Sequence, residues 1–159
     1  MRRFGFGLLV ALASCGYSFG SGLEQHGVRT VALRVVGNQS FRQRLEVELT
    51  AALARELPVS TDLRLASAGR ADASLEVTIT DAVERTLVPG TRDDPVREGG
   101  LLATIRVRLL RADGQVLVDQ ILRERTEFRD PIGENLAAAR DELATELARR
   151  IALALQSAP

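Results

Sequence analysis

The chain has 159 residues, 45% hydrophobic and 26% charged, with one His, one Cys, no Trp and no Lys, so that arginine carries its positive charge. If Arg2 and Arg3 leave with an N-terminal leader, 19 basic residues face 21 acidic ones, a net charge of −2, without the basic excess a general nucleic-acid binder needs. A single His and a single Cys cannot assemble a catalytic triad or a zinc site, which points to a non-enzyme with no cofactor and no metal.

Met1, Arg2 and Arg3 form a short positive region, followed by about ten apolar residues, the length of a signal-peptide core and half that of a bilayer span. Leu12, Ala13, Ser14 and Cys15 then match the bacterial lipobox at all four positions, with the Cys15 thiol as the nucleophile that takes the lipid. Residues 1–14 are thus expected to be a signal peptide and Cys15 the acylated N-terminus of the mature chain. Cleavage after Ala13 by an ordinary signal peptidase is the competing outcome, and it would release a periplasmic protein. Gly16, rather than the Asp that tends to retain lipoproteins at the inner membrane, favours the periplasmic side of the outer membrane. Residues 15–29 are Gly-rich at their start, lack periodicity and read as a tether that includes His26.

A domain is expected over 30–157. Residues 30–36 alternate as a strand, with Val31, Leu33 and Val35 in one row. After Gly37, Asn38 and Gln39, the spacing of Ser40 and Gln43 is that of a capping box, and Phe41, Leu45, Leu49, Ala52, Leu53 and Leu57 trace the apolar stripe of a helix that Pro58 closes. Residues 63–66 form a weak strand, and 73–83 a strong one in which Asp81 falls in the inward phase and signals a bulge. Residues 87–100, with Pro89, Gly90, Pro95, Gly99 and Gly100, read as a mobile loop.

A hairpin follows over 101–128, turning at Asp113 and Gly114. Its register pairs Leu109 with Val118, Ile105 with Leu122 and Arg108 with Asp119, whereas Ala103 opposite Glu124 suggests a slip or a bulge at the far end. Asp130 and Pro131 then offer the start of a helix whose buried face is Leu136, Ala139, Leu143, Leu147, Ile151 and Leu155. The order strand-helix-strand-strand-strand-helix gives an α+β fold, two helices on one face of a four-stranded mixed or antiparallel sheet.

The lipobox, the mature start Cys15, Gly16 and Tyr17, and this order of elements resemble the LptE family of LPS-assembly lipoproteins over nearly the whole chain. That resemblance implies an outer-membrane partner that plugs the β-barrel translocon LptD, assists its assembly and helps deliver lipopolysaccharide to the outer leaflet. It carries no motif from which binding residues transfer. On charge alone, Arg92 and Arg97 of the loop and Arg106, Arg108, Arg123 and Arg125 of the hairpin are candidates for LPS phosphates or barrel carboxylates. The same arginines also suit plain outward charges balanced by Asp119, Glu124 and Glu127. A lipoprotein adaptor of another envelope secretion or assembly machine fits the outline as an alternative.

Overall fold

The longest runs of alternating residues become the longest strands. The computed structural model describes residues 22–40, 44–92, 97–130 and 135–157; the lipobox with Cys15 and the segment holding Phe41 and Gln43 lie outside them. A single turn α1 (Gly22–Gln25) leads to β1 (Thr30–Leu33), a two-residue β2 (Gly37–Asn38), α2 (Leu45–Ser60), β3 (Arg64–Leu65), β4 (Ala73–Val88), β5 (Arg97–Arg111), β6 (Val116–Asp130) and α3 (Leu136–Gln156). The sheet order is β3-β1-β4-β5-β6, with β2 also on β4; β1 is parallel to β3 and β4, and β4, β5 and β6 form an antiparallel meander. The expected class holds: the weak strand foreseen at 63–66 is β3, left out of the expected four-stranded sheet, and β2 is the one strand not foreseen.

Both helices cover one face. Leu45, Leu49, Leu53 and Leu57 of α2 and Leu143, Leu147, Ile151 and Leu155 of α3 are fully buried against Leu75, Ile79, Leu101, Ile105 and Leu109. The two helices run in the same direction, because each returns the chain to the end where β1 begins, and there Gln156 Nε2 donates to the Ser60 carbonyl. At that same pole the backbone N–H of Arg64 bonds to Arg29 O, and that of Ala112 in the β5–β6 turn to Asp72 O. The Asp72 carboxylate accepts from the N–H of Arg29 and from the N–H and hydroxyl of Thr30 (3.0, 2.8 and 2.7 Å), bonds that hold its pKa below the ordinary value. Leu23 and Val28, within the segment read as tether, are buried in the core, so the fold begins before Thr30.

Several expectations shift for local reasons. Between Leu33 and Gly37 the chain inserts one extra residue against β4 (Leu33 faces Leu75, Gly37 faces Thr78), which exchanges the faces: Val36 is buried and Val35 exposed. Ser40 does not cap α2 but donates N–H and Oγ to Asn38 Oδ1 (2.9 and 2.7 Å), while Asn38 Nδ2 donates to Glu46 Oε2 in the first helical turn (2.6 Å). Arg44, at the N-cap, is left-handed with φ 82°. Pro58 lies inside α2, where the missing N–H falls in the last turn and leaves only the carbonyl of exposed Ala54 without its donor. A bulge at Thr80 turns Asp81 outward and brings Ala82 in, as the misplaced acid suggested.

The segment 87–100 is not one loop. β4 continues to Val88 and β5 starts at Arg97, so strand reaches through Gly99 and Gly100. Gly99 faces Phe128 across β5 and β6, and a Cβ at Gly99 would stand 2.4 Å from the ring's Cζ: the missing side chain is the space that buried Phe128 fills. The hairpin keeps the expected register from Arg97/Asp130 to Leu109/Val118, Ala103/Glu124 included, but its turn differs. Arg111 O accepts from Gly114 N, Arg111 N donates to Gln115 O, and among 112–114 only Gly114 has positive φ (89°), so the turn holds three residues and a bulge at Leu117 restores the register. Glu124 is tolerated on the apolar side because Arg150 of α3 reaches across and pairs with it. β6 runs on to Asp130, and α3 is capped instead by Asn135, whose Oδ1 accepts from Ala137 and Ala138 N–H at 3.0 Å each; Pro131 lies outside the described residues.

Candidate functional site

Strand parity sorts the candidate arginines. Residues 102, 104, 106, 108 and 110 of β5 face away from the helices, as do 119, 121, 123, 125 and 127 of β6. Arg106, Arg108, Arg123 and Arg125 therefore share the outer face, with Thr104 opposite Arg123 and Leu102 opposite Arg125. Arg97 falls on the other parity, beside Glu84 at 3.8 Å on the helix-covered side, and Arg92 lies exposed in the bend after β4; neither joins the four.

At the centre of that face the charges form a row. Arg106 grips Asp119 with two parallel bonds (Nε–Oδ1 2.8 Å, Nη2–Oδ2 2.7 Å), and these hold the Asp119 pKa below the ordinary carboxylate range. Arg108 stands between Glu76 and Asp119, 3.7 Å from each, and its Nε is buried without a hydrogen-bond partner among the described residues. Arg34 of the β1–β2 connection closes the row on Glu76 at 3.0 Å. A shallow groove of about 200 Å³ lined by Gln39, Glu76, Thr78, Thr80, Arg106 and Arg108 opens over it. Arg34 and Glu76 escape sequence reasoning because their meeting depends on parallel pairing of β1 with β4, which no local signal announces.

Towards the far end the outer face becomes part apolar. Val83, Leu87 and Leu102 are at least partly exposed there, and Ile121, opposite Arg106 nearer the centre, retains 65% of its surface. Arg125 pairs with Glu127 at 3.4 Å and Arg129 with Glu98 at 2.9 Å, while Arg123 has no ion-pair partner among the described residues. Of the three acids expected to balance this face, Asp119 and Glu127 do so, and Glu124 points to α3 instead. Among the described residues no group of His, Cys, Asp and Glu could hold a metal ion, and no helix is long and apolar enough to cross a membrane.

What this surface offers is contact: guanidinium groups set side by side on the outer face of a sheet. The profile of the lipopolysaccharide-assembly family LptE matches residues 28–155, nearly all of the folded part. The chain belongs to the LptE family. Among curated proteins none matches this LptE-family chain significantly. In structure it is similar to a hypothetical protein from Chlamydia trachomatis (TM-score 0.59, 15% identity, 81% of this chain and 96% of that one covered). It is also similar to the PelC dodecamer protein from Paraburkholderia phytofirmans (0.58, 16%, 82% and 90%) and to a minor lipoprotein from Acinetobacter baumannii (0.54, 12%, 82% and 94%). At these identities the likeness shows that the LptE-family chain shares their fold.

Proposed function

We propose that this LptE-family chain is anchored through acylated Cys15 at the periplasmic side of the outer membrane, lodges in an LptD-type β-barrel, assists its assembly and helps pass lipopolysaccharide to the outer leaflet. The observation that carries this is the family match across 28–155. The outer face supports it: a charged, mixed sheet suits the polar lumen of a large barrel better than an apolar surface would. Arg123, exposed and without an ion-pair partner among the described residues, is a donor that a lipid phosphate or a barrel carboxylate would satisfy. The chain acts by binding, with the covalent lipid as its only added group.

Affinity purification of the lipidated protein from detergent-solubilised outer membrane is expected to recover a large β-barrel together with lipopolysaccharide, and recovery of neither overturns the proposal. Replacing exposed Arg123 and Arg125 by Ser removes charge-assisted bonds worth about 1.5–3 kcal/mol each, so lipopolysaccharide binding is expected to fall at least about tenfold with the circular dichroism unchanged. Undiminished binding would remove these two residues from the site.

A further inference from the structure

The two ends of the molecule differ in what they can reach. Gly22 is seven residues beyond Cys15, and at no more than about 3.6 Å per residue an anchor at Cys15 holds it within about 25 Å of the bilayer surface. Leu23 O accepts from the N–H groups of His26 and Val28, so Gly22 sits close to the start of β1, at the pole where β3, the β5–β6 turn and the C-termini of α2 and α3 meet. β4 alone, at about 3.3 Å per residue, carries the opposite end roughly 50 Å away. Only the β1 pole is bound to stay at the lipid.

That pole is furnished for a headgroup layer. Arg29, Arg64 and Arg70 are exposed there, Arg29 just before β1 and Arg64 in neighbouring β3, joined by the Arg64 N–H to Arg29 O bond. Its acids among the described residues are Glu24, Glu56, Asp62, Asp72 and Asp113; Glu56 accepts from the Ser60 hydroxyl, Asp72 from the Arg29 N–H and the Thr30 N–H and hydroxyl, and Asp113 pairs with Arg111. Three guanidinium groups thus face solvent against two carboxylates. Beside them stand Val59, 83% exposed in the last turn of α2, and Leu65, 40% exposed on edge strand β3. Guanidinium forks suit lipid phosphates, and apolar side chains beside them suit the boundary between headgroups and acyl chains.

We infer that, while the domain is anchored but not yet lodged in a barrel, this pole lies against the phospholipid surface, with Arg29, Arg64 and Arg70 on headgroup phosphates and Val59 and Leu65 dipping below them, so that the anchor fixes the domain's orientation as well as its location. The inference rests on acylation of Cys15.

Because the chain has no Trp, a single introduced one reports its own surroundings. Lipidated full-length protein carrying Val59→Trp, Leu65→Trp or, as a control at the far end, Val83→Trp is to be reconstituted into phosphatidylethanolamine–phosphatidylglycerol vesicles with brominated acyl chains. The expected result is blue-shifted, quenched emission at positions 59 and 65 and not at 83, with loss of the difference when Arg29, Arg64 and Arg70 are replaced by Ser. Equal emission at all three positions, or a difference that survives the arginine replacements, overturns the inference. Mass spectrometry of the same sample separates the two layers: absence of acyl chains on Cys15 defeats the anchoring and the orientation together, whereas an acylated protein with unquenched Trp defeats the orientation alone.

Discussion

The vacancy at Gly99 gives the most direct test of the strand assignment through 97–100. Gly99→Ala places a methyl 2.4, 2.8 and 2.9 Å from three ring atoms of Phe128, where carbon contacts settle at about 3.5–4.0 Å. The ring has two ways out. Shifting in place strains a packed side chain that is only 1% exposed, an overpacking cost of about 1–3 kcal/mol; swinging into water forfeits about 1.5–3 kcal/mol of burial. Against either stands about 0.4–1 kcal/mol gained by stiffening the unfolded chain, so the net loss is about 1–2 kcal/mol. Urea unfolding of the mature protein followed by far-UV circular dichroism should show the midpoint lowered by roughly 0.5–1 M, for a slope of about 2 kcal/mol/M. In a Phe128→Leu background the new methyl meets no ring, and the same substitution should cost less than about 0.5 kcal/mol, the difference being the coupling energy. A Gly99→Ala protein as stable as the parent, or an equal loss in both backgrounds, would refute the pairing of Gly99 with Phe128.

Two further predictions concern charge. Asp113, bonded to Arg111 and to the Gln115 N–H, has its pKa lowered from 3.8 to about 2, and Asp72 is lowered from 3.8 by the bonds from Thr30 and Arg29. A carboxyl that binds its proton less readily when folded stabilises the fold fully above its unfolded pKa and loses that contribution as pH falls through the folded one. Unfolding free energy measured between pH 4 and 2 should therefore drop less steeply in Asp113→Asn and Asp72→Asn proteins than in the parent, and parallel curves would count against both. Arg150→Ala strands Glu124, whose side chain is 18% exposed, on the helix-covered face; it should cost about 1–3 kcal/mol, while Glu124→Leu combined with Arg150→Leu should be close to neutral. Thermal melts decide, and a neutral Arg150→Ala would mean the pair does not matter.

Element identity was legible where one periodicity ruled: the leucines of α2 and α3, the β4 alternation and the β5–β6 register all follow from local spacing. Sequence failed where a distant partner overrides a local sign. Gly99 and Gly100 argue for loop until Phe128, far along the chain, is seen to occupy the gap, and Glu124 argues for a slip until Arg150 arrives from α3. Val35 and Val36 trade faces because a bulge costs nothing that composition records. For the site, hairpin parity alone places Arg106, Arg108, Arg123 and Arg125 together. The same parity would have separated Arg97 had the strand been extended back through the glycines. Arg34 and Glu76 needed the parallel β1–β4 pairing, which only the fold reveals.

Beyond Ile79, where β2 stops pairing, β4, β5 and β6 continue as a three-stranded overhang of roughly 30 Å at about 3.3 Å per residue, met among the described residues by the first turns of α3. Its span is consequently free to vary without disturbing the body. Adding or removing two residues from each strand changes the reach by about 6.6 Å and leaves every side chain on its own face, whereas a change of one residue turns the face over. Divergence in length at this end should come in even steps.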